Sequence, residues 1–168
     1  MEYEEYLELI GTDTTGRYDV TPLFTDPVVF AELRSDLIDG ISSEPTRVCG
    51  IEALGFMLGS AVAVDLDVGF VPVRKGGKLP YTDEQLLRRE FTDYSKRTKI
   101  LELRTDALTP SDRVLLIDDW IETGAQMRAA TELVEEAGAT VHAITAITAD
   151  RNDQTEALFE KYDVFHLG

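Results

Sequence analysis

RVLLIDDWIETGAQ, residues 113–126, reads as a strand, an acidic pair, a tight turn and the start of a helix. Val114 to Ile117, opened by Arg113, is a short apolar run of β-favouring residues. It ends in Asp118 and Asp119; Thr123-Gly124 supplies the turn, and Leu133 and Val134 give the following segment an apolar helical face. That order suits a strand that delivers carboxylates to the carboxyl edge of a parallel sheet, followed by a helix whose first amides point at an anion. Gly124 lets the backbone close tightly there. Paired carboxylates accept hydrogen bonds from vicinal hydroxyls, so the segment fits a phosphorylated sugar. The plainer alternative makes the acidic pair a polar strand end and Thr123 a helix N-cap.

Outward from this segment, the chain alternates helical and strand patterns. Tyr3, Tyr6, Leu7 and Ile10 stand at helical spacing and predict an amphipathic helix over 2–10. Gly11 to Gly16 is a turn-rich break, and Val28 to Ile41 carry a second helical pattern beginning at Pro27. Thr46 to Ile51, Val68 to Val73, Ile100 to Leu103 and Val141 to Thr148 read as further strands. Leu54 to Leu66, rich in Ala and Gly, reads as a helix suited to close packing on a sheet, and Met127 to Ala137 reads as the helix before the last strand. Residues 74–98 read as a polar, basic, mobile excursion. The predicted architecture is an α/β domain: a Rossmann-like parallel sheet flanked by helices with a small N-terminal hood. A single domain over 1–168 is expected, with residues 1–30 as the cap and 31–168 as the core.

Composition narrows the function. A 168-residue chain with 43% hydrophobic residues has enough material for one full core. Its one cysteine, Cys49, leaves no intramolecular disulfide and reads as a small buried residue. MEYEEYLELI is acidic and lacks the layout of a secretory leader, and no apolar run approaches the ~18 residues of a membrane span. A cytoplasmic protein without membrane contact is expected. Sixteen basic against 32 acidic residues give a net charge of −16, which speaks against nucleic acid as a partner. Nine of the basic residues lie between 74 and 104, against five acidic ones there. This locally basic stretch reads either as a docking place for a small polyanion or as a solvated loop.

Three blocks carry a family resemblance. GIEALGFMLGSAVAVDLDVGFVPVRKGGKLP (50–80) resembles the matching region of adenine phosphoribosyltransferases nearly residue for residue. YDVTPLFTDP (18–27) and VLLIDDWIETGAQ (114–126) resemble the same family in the same order, so the likeness covers roughly residues 17–148. It implies the type I phosphoribosyltransferase fold and transfer of ribose 5-phosphate from phosphoribosyl pyrophosphate (PRPP) to a purine or purine-like base. Mg²⁺ as cofactor, a homodimer and a role in purine salvage are implied with it.

The resemblance also assigns roles. Asp118 and Asp119 correspond to the acceptors for the ribose hydroxyls, and they meet Mg²⁺ only indirectly, through ribose or water. Glu122, Thr123, Gly124, Ala125 and Gln126 form the 5-phosphate cradle. Glu52, Ala53 and Leu54 correspond to the pyrophosphate loop, where the superfamily often has a non-proline cis peptide, and Arg74 and Lys78 are its cations. Asp93, with Tyr94 and Ser95, matches the loop that closes over the reacting centre, and Arg17-Tyr18 falls at the base pocket. The implied chemistry is displacement at the anomeric carbon through an oxocarbenium-like state, stabilised electrostatically and shielded from water. Asp118, Asp119, Asp93 and Arg74 are its catalytic candidates. No Ser-His-Asp or Cys-His arrangement is visible, and His142 and His166 read as structural.

Departures from the family pattern qualify these roles. Leu54 stands where an arginine is typical, Glu122 replaces a small residue, and Ala125-Gln126 replaces Gly-Thr. Arg17-Tyr18 replaces Phe-Arg, and Asp93 is one methylene shorter than the usual glutamate. The shorter N-terminus implies a reduced hood. Two classes follow: an active transferase, weak with adenine because of these changes, or a non-catalytic sensor of PRPP or nucleotide on the same fold.

Overall fold

The computed structural model describes residues 1–12, 18–42, 44–92 and 96–168. The chain opens with α1 (Tyr3–Leu9), the short strands β1 (Gly11–Thr12) and β2 (Tyr18–Asp19), then α2 (Pro22–Thr25) and α3 (Pro27–Asp39). There follow β3 (Arg47–Ile51), α4 (Leu54–Asp65), β4 (Gly69–Lys75), β5 (Leu86–Thr92) and β6 (Thr98–Arg104). The last elements are β7 (Arg113–Ile121), α5 (Ala125–Glu136), β8 (Thr140–Ala149), α6 (Glu156–Lys161) and β9 (Asp163–His166). Among the described residues, seven strands form one sheet in the order β5-β6-β4-β3-β7-β8-β9. The five from β4 to β9 run parallel, and β6 and β5 continue the sheet antiparallel beyond β4.

The expected parallel sheet is therefore the larger part of a mixed one. Its strands are apolar nearly throughout because both faces are covered. Leu115 and Ile117 of β7 pack with Leu58 and Val62 of α4, Leu33 and Leu37 of α3, and Tyr6, Val20 and Leu23 of the N-terminal segment. Val114 and Leu116 face the other way, into a cluster with Met127, Ala130, Leu133 and Val134 of α5. The first 30 residues thus share a core with the sheet, and the expected boundary at residue 31 falls inside α3. Asp26 caps that helix, accepting from the amides of Val28 (2.8 Å) and Val29 (3.2 Å), with Pro27 at its first turn.

The Gly-rich reading of α4 holds. A Cβ on Gly55 would lie 2.7 Å from the Ile117 carbonyl oxygen, and one on Gly59 would lie 2.7 Å from Ile117 Cγ2. The helix therefore rides on β7 at a distance that side chains would forbid.

The excursion over 74–98 differs from expectation. β5 pairs with β6 over seven residue pairs, from Leu86–Arg104 to Thr92–Thr98, and a 3₁₀ turn at Asp83–Gln85 leads into the hairpin. Leu86 and Phe91 are buried. Three charged residues between 83 and 90 besides Arg88 and Arg89 obscured the apolar positions, and ion pairs from both faces of the strand help to hold the hairpin. Arg89 Nε lies 3.1 Å from Glu132 and its Nη2 lies 2.7 Å from Glu136, both on α5. Arg88 reaches Asp83 (2.7 Å) and the buried Glu102 (2.9 Å). These two arginines fasten the hairpin.

Candidate active site

β3 and β7 are sheet neighbours whose following helices cover opposite faces, α4 on one and α5 on the other. Chains diverge above such a pair and leave a crevice at its carboxyl edge. The last β3–β7 partners are Gly50 and Ile117; beyond them β7 continues on its β8 side only, through Asp118–Ala146 to Ile121–Ala149. Asp118 therefore emerges at the open crevice.

Asp118 is 3% exposed. Its Oδ1 accepts from the Asp119 amide at 3.0 Å, and its Oδ2 accepts from the Gln126 side-chain amide at 2.7 Å. Burial, followed by the charge of Asp119 next to it, pushes the Asp118 carboxyl well above the ordinary carboxylate range. The hydrogen bond from Gln126 acts in the opposite sense, favouring the charged form. Asp119 is half-buried.

Gly124 occupies the helix N-cap position with φ 69°, a left-handed conformation that glycine adopts without steric cost. A Cβ there would approach Leu158 Cδ1 at 3.0 Å, Arg128 Nη1 at 3.1 Å and Thr155 Cγ2 at 3.2 Å. Thr123 Oγ1 accepts from the Ala125 amide at 3.4 Å. The turn is braced from outside: Arg128 donates to the Thr123 carbonyl (3.3 Å), and Asn152 Nδ2 donates to the Glu122 carbonyl (3.1 Å). The first amides of α5 have no carbonyl within the helix to bind, and the helix dipole adds positive potential at the same place. Asp118, Trp120, Thr123, Gly124 and Gln126 enclose a cavity of about 190 Å³ with Phe91 and Lys99 of the hairpin.

The loop after β3 stands at the same edge. Its Glu52-Ala53 peptide is cis, as the resemblance implies. The Glu52 carboxylate accepts from Arg74 Nε (3.2 Å) and the Lys75 amide (3.1 Å), with Lys78 Nζ at 3.4 Å. Burial raises this carboxyl, but those hydrogen bonds and the Arg74 and Lys78 charges outweigh it and hold the group below its ordinary value. Glu52, Arg74 and Lys78 thus form one cluster. Leu54 packs against the apolar cluster on the α4 side.

Comparison with known proteins decides what this edge belongs to. The sequence profile of the phosphoribosyl transferase domain matches residues 28–167. The chain belongs to the phosphoribosyltransferase family. It is 45% identical over 126 residues to the adenine phosphoribosyltransferase of Paracidovorax citrulli, covering 73% of this chain and 66% of that protein. The match spans just under two thirds of that curated relative's length. Among solved structures, adenine phosphoribosyltransferase from Thermoanaerobacter pseudethanolicus superposes with a TM-score of 0.88 at 30% identity, covering 98% of both chains. The Giardia lamblia enzyme in complex with 9-deazaadenine gives 0.89 at 29% identity, covering 99% of this chain and 97% of that one.

In this chain Asp118, Glu122, Thr123, Gly124 and Gln126 line one cavity. Ala125 opens the helix beneath it. Gln126, which the sequence made available to a phosphate, instead gives its amide to Asp118. Arg17 and Asp93, with Tyr94 and Ser95, lie outside the described residues. Tyr18 is described, and its ring stacks on Trp120 with centroids 4.6 Å apart and planes 14° from parallel. Sequence reasoning overlooked Trp120, although it is the chain's one tryptophan and directly follows the acidic pair. It also overlooked Arg128 and Asn152, whose bracing contacts depend on how the β7–α5 and β8–α6 loops meet. No described helix is long and apolar enough to cross a membrane.

Proposed function

We propose that this phosphoribosyltransferase transfers ribose 5-phosphate from PRPP to a purine base and releases pyrophosphate. The observation that carries the reading is the meeting, at one crevice, of a carboxylate pair, Asp118 buried and Asp119 half-buried, and the opening amides of α5. The Glu52–Arg74–Lys78 cluster stands at the neighbouring strand ends.

In this reading Asp119 and Asp118 accept hydrogen bonds from the ribose hydroxyls; carboxyl oxygens have more than one lone pair, so Asp118 keeps acceptor capacity beyond its two internal partners. The Thr123–Gln126 amides hold the 5-phosphate. Arg74 and Lys78, set by Glu52, receive the pyrophosphate. The bond from the anomeric carbon to the pyrophosphate oxygen breaks as a ring nitrogen of the base bonds to that carbon, and the proton of that nitrogen leaves with the pyrophosphate or to solvent. Carboxylates near the ribose favour its positive charge in the transition state, and the two cations favour the departing anion. Asp93 is given a catalytic role on the family likeness alone. Hard oxygen donors at Asp118 and Asp119 fit Mg²⁺, which commonly takes one or two carboxylates plus substrate phosphates. They would hold it through water or ribose, and the bound ion supplies neutralisation of pyrophosphate charge.

Trp120 lines the cavity, and the exposed Tyr18 ring stacked on it extends a flat apolar surface that suits a purine. A homodimer, a cytoplasmic location and a purine-salvage role are proposed on the family likeness; strongly exposed Val28 and Val64 offer apolar surface for a partner.

Incubation with PRPP, Mg²⁺ and a panel of bases, following pyrophosphate release, tests the reading. Release that depends on a purine is expected. Asp119→Asn should weaken PRPP binding with little change in melting temperature, and base binding should alter the emission of the sole tryptophan. A protein that neither binds PRPP nor releases pyrophosphate with any base would overturn the proposal.

A further inference from the structure

We infer that Lys99, on the β5–β6 hairpin, is a binding residue for the sugar 5-phosphate, facing it from the side opposite the α5 amides. The inference rests on the transferase reading above. Lys99 and Phe91 are direct cross-strand partners, and both line the cavity that holds Asp118, Thr123, Gly124 and Gln126. Two further contacts fix the position. Phe91 is buried in the cluster on the α5 face. The Gly76 amide donates to the Ile100 carbonyl at 2.8 Å, tying β6 to the loop after β4.

Charge explains the need for such a residue. Asp118 and Glu122 line the cavity, Asp119 adjoins it, and Lys99 is the one cation among its described lining residues. A helix N-terminus contributes roughly half a positive charge, whereas a phosphate monoester carries about −1.5 to −2 near neutrality. The amides alone leave the anion under-compensated beside three carboxylates, and Arg128, the cation that adjoins the turn, already donates to the Thr123 carbonyl at 3.3 Å. Gln126 does not make up the difference in charge, because it is neutral and gives one of its two N–H groups to Asp118. Lys99 also borders a second depression lined by Lys75, Gly76, Gly77 and Glu102, so it stands on the wall between the phosphate cradle and the loop after β4. An ammonium group on a flexible stem is well suited to meet a phosphate as a point charge from there.

The test is ribose 5-phosphate binding by calorimetry to wild type, Lys99→Gln and Lys99→Arg, alongside binding of free base. Lys99→Gln should weaken ribose 5-phosphate about tenfold or more, the size of one charge-assisted hydrogen bond. It should also lessen the salt dependence of that affinity and leave base affinity unchanged, while Lys99→Arg recovers most of the loss. In the wild-type protein, ribose 5-phosphate should shield Lys99 from acetylation, mapped by mass spectrometry, a readout that does not depend on how the variants fold. Wild-type affinity in Lys99→Gln, unshielded Lys99, or equal loss of phosphate and base binding would overturn the inference and leave the transferase reading standing. A wild-type protein that binds neither ribose 5-phosphate nor PRPP would overturn both.

Discussion

Replacing Gln126 by Ala removes the donor to a carboxylate oxygen that has no solvent to turn to. Asp118 is 3% exposed, and the bond lost is 2.7 Å long. A buried hydrogen bond to a charged group is worth about 1.5–3 kcal/mol, and in a chain of this size each kcal/mol moves the melting temperature by roughly 2–4 °C. Where the folded Asp118 is ionised, Gln126→Ala should therefore lower the melting temperature by about 3–12 °C. The loss should depend on pH. The Asp118 carboxyl is raised by burial and by Asp119, so the folded chain holds this proton more tightly than the unfolded chain, whose carboxyl titrates near 3.9. Ionising it costs stability as pH climbs from about 4 through the raised folded value. The Gln126 amide opposes that cost by favouring the ionised form. The penalty for removing it is thus smallest where Asp118 is protonated in both states and largest where the folded group is ionised. Thermal melts from pH 4 to 8, with Asp118→Asn as a second background, provide the assay. The Ala substitution should cost less in the Asn background, because a neutral amide oxygen needs the donor less. A penalty independent of pH and equal in both backgrounds would refute the assignment of Gln126 to Asp118.

Gly55→Ala should destabilise the fold by about 1–3 kcal/mol, since the new methyl would lie 2.7 Å from the Ile117 carbonyl and 3.1 Å from Asp118 Oδ1; chemical denaturation measures it, and full stability would mean α4 has room to lift. Arg89→Ala breaks two partly exposed ion pairs, so global stability should change by less than about 1 kcal/mol, while amide exchange over 86–92 should rise; unchanged exchange would show that Phe91 and the strand pairing hold the hairpin unaided. The net charge of −16 sets carboxylates against one another. Raising NaCl from about 0.1 to 1 M shortens the screening length from about 10 to 3 Å, and the melting temperature should rise; a flat or falling trend would mean that the local ion pairs outweigh the net repulsion.

Residues 113–126 determine the β7–α5 unit from sequence alone, because an apolar run, an acidic pair and Thr-Gly ahead of an amphipathic segment have few other solutions. The glycines of α4 and the Asp-Pro start of α3 are equally local signals, since each records what one stretch of backbone requires. Strand neighbours and side-chain partners are not local. Gln126 meets Asp118 only because a strand end and a helix start fold onto the same edge, and Tyr18 meets Trp120 across 102 positions. Leu54 and Gln126 look in sequence like lost phosphate contacts; the fold gives one an apolar seat and the other a buried carboxylate to satisfy. The hairpin escaped a reading by periodicity because arginines and glutamates interrupt its apolar positions, and Arg89's partners Glu132 and Glu136 lie more than 40 residues along the chain. Periodicity reports which face a residue presents; only the closed tertiary structure decides what that face meets.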